Sequence, residues 1–544
     1  MKLTIGSKLI ALPVDTKISI ERSSPLLNDD TGSFSYPFPV PTAPNQLNLG
    51  WPGRLQRDGD IPDQTFILSE GGLQVLRGEV DYDDVTAKEI GIILKSGYTE
   101  FTKKMDNKFL GEIDFGSEWW PPVIDTASTI YDKFEEWDIV NTTDNGKYVA
   151  APFVIADANI NAQDCSGATS KLKLVWEGGY YNYASLQFKV NFVVTTIFER
   201  AGYTVVENAI ETSEFDKLVL FGKIINVFLY HIETGGLIVN SIFDEEVLLY
   251  SRLMPDIKVL DFLILIKDLL CMMYEIDEFK KEVRIKYKKD IFLPENLEAM
   301  QIKELAGWIH SEQKELKGFT LRYMDQDNEL DTYTDWPEFI DVVGELPAAT
   351  EENKIVVNGL GRYYMTVLND SDVLEWQEVG RLREALEGEG ENDVELKVII
   401  PTQKEYLTDG INLECPTLLN VTLNRNSLYI PLTFLAITFY HGRKTFSAKS
   451  VPYASFDRYS IDGTVDSEIS LKPSYLYSEV YTEFLNWQTY RARGFTKYIE
   501  LSLVQLIALQ WGKRYNIGGI EVILDKINYD LPYDGKVEVE GFTS

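Results

Sequence analysis

Hydrophobic and polar positions change period along this chain. Near the start, Val14, Ile18 and Ile20 alternate with Asp15, Lys17, Ser19 and Glu21, the two-residue period of a half-buried strand. Pro37, Pro39 and Pro41 follow at every second position. They forbid helix and remove three ladder donors, so the segment from Ser33 to Pro41 is expected to be an extended edge. Phe34, Tyr36 and Phe38 would then lie on one side, as an arm packed on its own domain. Phe66-Ile67-Leu68, Gly91-Ile92-Ile93-Leu94 and Gly111-Glu112-Ile113-Asp114-Phe115 also read as short strands. The pattern breaks at Trp119-Trp120-Pro121-Pro122.

The middle of the chain takes a helical period. Val190, Val193, Val194, Ile197, Phe198 and Ala201 form one apolar stripe that stops at Gly202, and Tyr203-Thr204-Val205-Val206 then reads as a strand. Val259, Phe262, Leu263, Ile266 and Leu270 repeat the theme. In the strand that follows, Val283, Ile285 and Tyr287 alternate with Arg284, Lys286 and Lys288, which predicts one cationic, solvated face. From Asp372 to Leu386 the pattern is helix-like, and Gly388 to Asp393 is an acidic break. Leu428 to Phe439 reads as a buried strand pair, or a strand and its connection. Leu476, Val480, Phe484 and Trp487 mark a late helix, and Gly518-Gly519 a hairpin. The expected division is a β-rich region 1–118, an α+β region 119–295, a mixed region 296–393 and a β-rich region 394–544 with one helix. The fold class is thus α+β and multidomain.

Composition narrows the function. At roughly 150 residues per domain, 544 residues suggest about three or four units. A hydrophobic fraction of 44% supports real cores and excludes wholesale disorder. Lys and Arg number 52 against 85 Asp and Glu, so 52 − 85 gives −33. Such a charge disfavours general nucleic-acid binding and anionic membrane surfaces. Cys165, Cys271 and Cys415 lie too far apart for a zinc cluster or a disulfide framework, which fits a reducing compartment. The N-terminal apolar run is too short for a signal peptide. The most apolar stretch, Val259 to Ile276, carries Asp261, Lys267, Asp268 and Glu275, so no membrane span is expected.

Reactive groups are sparse. His231, His310 and His441 share no ligand spacing, and no Gly-x-Ser-x-Gly elbow accompanies them. Asp325, Asp327, Glu329 and Asp331 start like a calcium loop, but Leu330 and Trp336 stand where Gly and Glu are needed. A solvated acidic loop is the simpler reading there, and also for Asp81, Asp83 and Asp84. Gly359-Leu360-Gly361 lacks the third glycine of a dinucleotide loop and reads as a turn. With 85 carboxylates, any pair chosen as a glycosidase dyad is a chance selection. No catalytic, cofactor-binding or metal residues are assigned, and no cofactor is expected.

Four stretches, in this order, carry a resemblance. The first runs from Ile18-Ser19-Ile20-Glu21 through Ser24-Pro25-Leu26-Leu27-Asn28 to Gly32-Ser33-Phe34-Ser35-Tyr36-Pro37-Phe38, with Pro44-Asn45 after it. The second runs from Asn191-Phe192-Val193-Val194 through Ile197-Phe198-Glu199-Arg200-Ala201-Gly202-Tyr203-Thr204. The third is Met254-Pro255-Asp256-Ile257 through Asp261-Phe262-Leu263, with Val283-Arg284-Ile285 following. The fourth runs from Trp487 through Ile499 and Leu506 to Gly518-Gly519. With these the chain resembles tail-tip or baseplate hub proteins encoded by phages and prophages of the Bacteroidetes. The resemblance implies β-barrel-like hub domains with an inserted α+β middle region, and a non-enzymatic homotrimer similar to the central hub of contractile-tail baseplates. Two barrels per subunit would make a pseudo-sixfold ring joining a sixfold tail tube to a threefold tip and bounding the DNA exit channel. Partners would be tail tube, distal tail and tip proteins in a virion assembled in the host cytoplasm, with no sequence-specific nucleic acid and no membrane span. The acidic segments would line the channel, because an anionic wall does not retain phosphates. Aromatic residues at 12% suit large permanent interfaces as well as several cores. Two alternatives stand beside this reading: a tail-associated hydrolase of envelope glycan or peptidoglycan, and a host-glycan adhesin using Trp119-Trp120 or other exposed aromatics as a sugar platform.

Overall fold

The computed structural model describes residues 1–26, 33–49, 64–119, 127–155, 158–165, 171–172, 183–226, 247–277, 280–305, 309–310, 320–323, 332–333, 338–340, 346–351, 354–358, 363–368, 373–380, 383–384, 393–396, 398–408, 411–418, 421, 429–446, 448–456 and 470–544. The first β unit comprises β1 (Lys2–Ile5), β2 (Lys8–Leu9), β3 (Ile18–Ser23), β4 (Ser33–Ser35), β5 (Phe38–Pro41), β6 (Gln64–Glu70), β7 (Leu73–Val85) and β8 (Glu89–Ser96). They run in the order β2-β1-β6-β7-β8-β4-β3, with β5 on β8, and make a half-barrel. Alternation builds it: Leu3, Ile5, Ile18, Ile20, Phe66, Leu68, Ile90, Ile92 and Leu94 all point into one core. Val14, expected on the first strand, lies outside it and is exposed. Only the second half of the proline segment is an edge: β5 pairs only with β8, whereas β4 lies between β8 and β3. Its three aromatics do not share a side. Phe34 and Tyr36 meet edge-on at 5.7 Å on the outer face. The break between β4 and β5 resets the register and sends Phe38 into the core.

The middle region packs α1 (Val190–Arg200) and α2 (Val259–Leu269) on a sheet of β9 (Thr204–Asn208), β10 (Met272–Asp277) and β11 (Glu282–Tyr287), ordered β9-β11-β10. α1 ends where the sequence places Gly202, at φ +90°. The Tyr203 N–H reaches the Phe198 carbonyl, and the Gly202 N–H that of Glu199, the two bonds of a Schellman cap. Residues 111–115 are not a strand, because Leu110–Glu112 forms a 3₁₀ turn. The described residues of 372–386, which are 373–380 and 383–384, are also not helical. Leu374–Gly380 is a strand whose residues pair antiparallel with Tyr363–Leu368, so a β-rich neighbour overrode the local helical pattern.

The barrel closes from β12 (Leu297–Glu304), β13 (Gly494–Glu500), β14 (Arg514–Ile517), β15 (Ile520–Leu531) and β16 (Lys536–Thr543). Pairing runs β12-β14-β15-β16-β13 and returns to β12, which leaves no edge in that ring. The expected hairpin joins β14 to β15, with Gly518 and Gly519 at φ +60° and +84°. The late helix spans 473–491 with two π turns, and Leu476, Val480, Phe484 and Trp487 are all buried.

One strand joins the two β units. The first part of β15 pairs with β14, while residues 526–531 pair with β3 from Ser23↔Lys526 to Ile18↔Leu531, so half-barrel and barrel form one sheet over one core. The register of β15 against β16 slips between Leu524 and Lys526, and the carbonyl of the extra residue, Asp525, accepts the Ser24 N–H at 2.7 Å. Such a bulge bends a strand. Opposite it, a Cβ on Gly541 would lie 2.3 Å from the Ile523 carbonyl oxygen. Gly541→Ala is therefore expected to cost about 1–3 kcal/mol, read as a lowered urea midpoint. An unchanged midpoint would refute the close approach.

Elsewhere a five-stranded sheet links Tyr148–Val149, Gln187–Lys189 and Leu218–Phe221 to Ile437–Phe446 and Lys449–Ser455. A seven-stranded one joins Phe153–Ile155 to Ile411–Leu418. The architecture is α+β and multidomain, with barrel-like β units from both ends of the chain around an α+β middle. Sheets cross residues 118, 295 and 393, so the four-part division stands as a proposal about chain order.

Candidate functional site

Among the described residues, His441 and Ser455 form a Ser-His pair, Oγ to Nε2 at 2.8 Å. That distance suits a nucleophile and its base. Ser455 is nevertheless fully buried, and the partly buried His441 lies 6.2 Å from the Phe439 ring and 5.7 Å from that of Tyr453, as a packed core pair does. His310 lies on a two-residue strand and His231 outside the described residues. The three cysteines are buried thiols, and burial pushes the Cys271 thiol up to about 12, far from a reactive thiolate. Asp81 is held by Lys95 and Lys103. Burial raises its carboxyl, and the two ammonium groups outweigh burial and lower it below the usual range. Asp83 and Asp84 are exposed. The acidic segments 325–331 and 388–392 and the Gly359-Leu360-Gly361 turn lie outside the described residues. No group of three or more His, Cys, Asp or Glu among the described residues is placed to hold a metal. Trp119 is half exposed at the end of Ser117–Trp119, and Trp120 is not described.

Charges inside the fold hold modules together. Lys189 is buried between Asp144 at 2.7 Å and Asp216 at 3.1 Å. Burial lowers the Lys189 ammonium, but the two carboxylates more than offset it and its pKa is raised. Inside the barrel Lys497 is fully buried and meets Glu304 at 2.7 Å, and a side chain on Gly518 would collide with that carboxylate.

The main joint lies between the barrel and the middle sheet. Glu275 on β10 and Lys286 on β11 are diagonal neighbours, both buried, 3.6 Å apart. The second Glu275 oxygen accepts the Trp511 N–H at 2.9 Å. Gly512 sits directly above: a Cβ there would be 3.1 Å from the Glu275 carboxylate and 3.2 Å from the Lys286 ammonium. The expected solvated face of β11 is thus corrected. The loop before β14 covers it, and Lys286 pairs with Glu207 and Glu275 instead of water. The sequence carried a weak signal for this, a single carboxylate within Met272-Met273-Tyr274-Glu275-Ile276.

An open depression of about 460 Å³ lies on the outer face where half-barrel and barrel join. There Tyr36 donates to Glu21 at 2.8 Å, Tyr498 to Glu538 at 2.9 Å and Ser19 to Asp530 at 2.6 Å. The hydrogen bond to Glu21 raises the Tyr36 phenol, and that to Glu538 raises Tyr498. The surface is acidic and aromatic. No helix among the described residues is long and apolar enough to cross a membrane.

No protein-family model matches the chain, and no curated protein matches it. Among solved structures it is similar to a crystal structure of the 43 kDa tail protein of prophage MuSo2 from Shewanella oneidensis, at 10% identity and a TM-score of 0.30, over 99% of this chain and 95% of that one. A likeness at that level settles neither fold nor activity.

Proposed function

We propose that this chain is a virion structural protein, the trimeric tail-tip or baseplate hub of a phage or prophage of the Bacteroidetes. It would join a sixfold tail tube to a threefold tip and bound the DNA exit channel. The observation that supports this most is the shared strand β15, which ties a closed barrel to a half-barrel in one rigid sheet. Three copies of a two-unit subunit supply six similar units, which is what a sixfold-to-threefold adaptor needs. The sequence resemblance implies the same arrangement. Acidic surfaces such as that around Glu21, Asp530 and Glu538 would face the channel, where they repel phosphate.

The test is symmetry. Mass in solution together with particle images should give a threefold ring with its acidic face inward. A stable monomer, or a basic lumen, would overturn the corresponding part of the proposal. Clearing of host cell walls that a point substitution abolishes would replace it with the hydrolase reading.

A further inference from the structure

A cleft of about 350 Å³ opens beside the joint, between the middle sheet and the helix Leu503–Ala508 with the loop that follows it. Arg22, from the end of β3, lines it and is 8% exposed. One terminal nitrogen of its guanidinium donates to the Leu506 carbonyl at 2.9 Å, and the group lies over the Trp511 ring at 5.8 Å. Its Nε is enclosed and has no hydrogen-bond partner, and no carboxylate pairs with Arg22 among the described residues. A buried cation without a counter-ion is costly, and the described carboxylates supply none here.

The neighbouring charges do not fill that need. Glu275 is committed to Lys286 and to the Trp511 N–H. Asp277 accepts the Lys280 N–H at 3.1 Å and faces its ammonium at 3.7 Å. Arg284 leans on Glu282 at 3.3 Å. Among the described residues, the charge of the cleft that lacks an opposite partner is therefore that of Arg22, since Lys280 and Arg284 at its rim are met by Asp277 and Glu282. The other side of the cleft is apolar and includes Val504, which is 63% exposed, Ile507 and Trp511. The volume lies at the low end of organic ligand sites, which run from about 300 to 1,000 Å³.

We infer that this cleft is a receptor for an acidic peptide segment, with a carboxylate seated on Arg22 and an adjoining apolar side chain against Val504 and Trp511. With Nε enclosed and one terminal nitrogen on the Leu506 carbonyl, the other terminal nitrogen is left to meet a carboxylate, and a charge-assisted bond there is stronger than one at the surface. The apolar wall favours a peptide over a free anion, because an inorganic ion leaves that wall wet. The inference rests on the cleft and not on the hub reading: an oligomer of any symmetry would carry it.

The test uses the full chain. The probe is a fluorescein-labelled, amidated peptide Gly-Leu-Glu-Leu-Asp-Gly, and its control replaces Glu and Asp by Gln and Asn. Binding is followed by anisotropy. The acidic peptide should bind about tenfold or more tighter than the control, with weaker binding at about 0.5 M salt. Arg22→Gln should abolish that preference. Val504→Glu, at the exposed rim, should do the same by repulsion while leaving the circular dichroism spectrum and melting temperature unchanged, so the test holds even if Arg22→Gln misfolds. Equal affinity for both peptides, or full preference in Val504→Glu, overturns the inference. Displacement of the peptide by equimolar phosphate or glutarate also overturns it, because the site would then belong to a free anion.

Discussion

Trp487→Ala is expected to lower stability by about 3–5 kcal/mol, among the largest effects of any single truncation in this chain. Trp487 is buried at 1% exposure within the largest core. Its ring lies 5.6 Å from Phe292, 5.7 Å from Phe484 and 5.9 Å from Phe542, so it touches the turn after β11, the late helix and the last barrel strand at once. Its indole N–H donates to the Thr543 carbonyl at 2.8 Å. Truncation removes the contacts that hold three segments together and leaves a cavity their backbones cannot close. Trp487→Phe keeps most of the ring and should cost far less, near the about 1 kcal/mol of a lost hydrogen bond plus a partial cavity. Urea unfolding followed by circular dichroism reads both. A loss below about 1 kcal/mol for the alanine variant would show that the helix is not anchored through this ring.

Trp487 was also legible in the sequence, on a four-residue apolar stripe, and the reason generalises. Elements whose burial is decided along their own length were readable. The α1 stripe with its Gly202 cap, the α2 stripe and the Gly518-Gly519 hairpin depend on local spacing and backbone freedom, and the structure has them. What failed was decided by a distant partner. Residues 374–380 carried a helical spacing, but Tyr363–Leu368 supplied a ladder. The polar face of β11 looked solvated because nothing nearby in sequence covers it. The cover arrives more than 220 residues later, with Trp511 and Gly512. The shared strand β15 was invisible for the same reason, since Ile18 and Leu531 stand at opposite ends of the chain.

The candidate sites divide in the same way. The histidines, cysteines and acidic runs were recognisable by residue type, and their isolation in sequence gave no reaction to propose. The Ser455–His441 contact needs the turn between two paired strands, and spacing alone would not have found it. Arg22 is the sharper case. Within Ile20-Glu21-Arg22 it reads as one more polar residue at a strand end. Only tertiary structure shows that it is buried and lacks a carboxylate among the described residues.

The joint at Glu275 yields the second large effect. Glu275→Ala leaves Lys286 buried with only Glu207 beside it, at 3.4 Å and itself half exposed, and removes the acceptor of the Trp511 N–H. Stranding a buried charge typically costs about 3–5 kcal/mol, and that loss is expected here in urea unfolding. Glu275→Gln keeps an acceptor for Trp511 and removes only the charge, so its shortfall against wild type measures the ionic part. The double variant Glu275→Leu with Lys286→Met should recover most of the loss, because an apolar pair of similar size has no desolvation penalty. It should not recover the seat of Gly512, whose backbone N–H also points at the Glu275 carboxylate from 3.5 Å. A barrel docked without that anchor keeps its fold and loses a fixed angle to the middle sheet. If the protein works by fitting against copies of itself, the double variant should fold with near-native stability and assemble poorly. Native assembly by the double variant would show that the angle at this joint is set elsewhere.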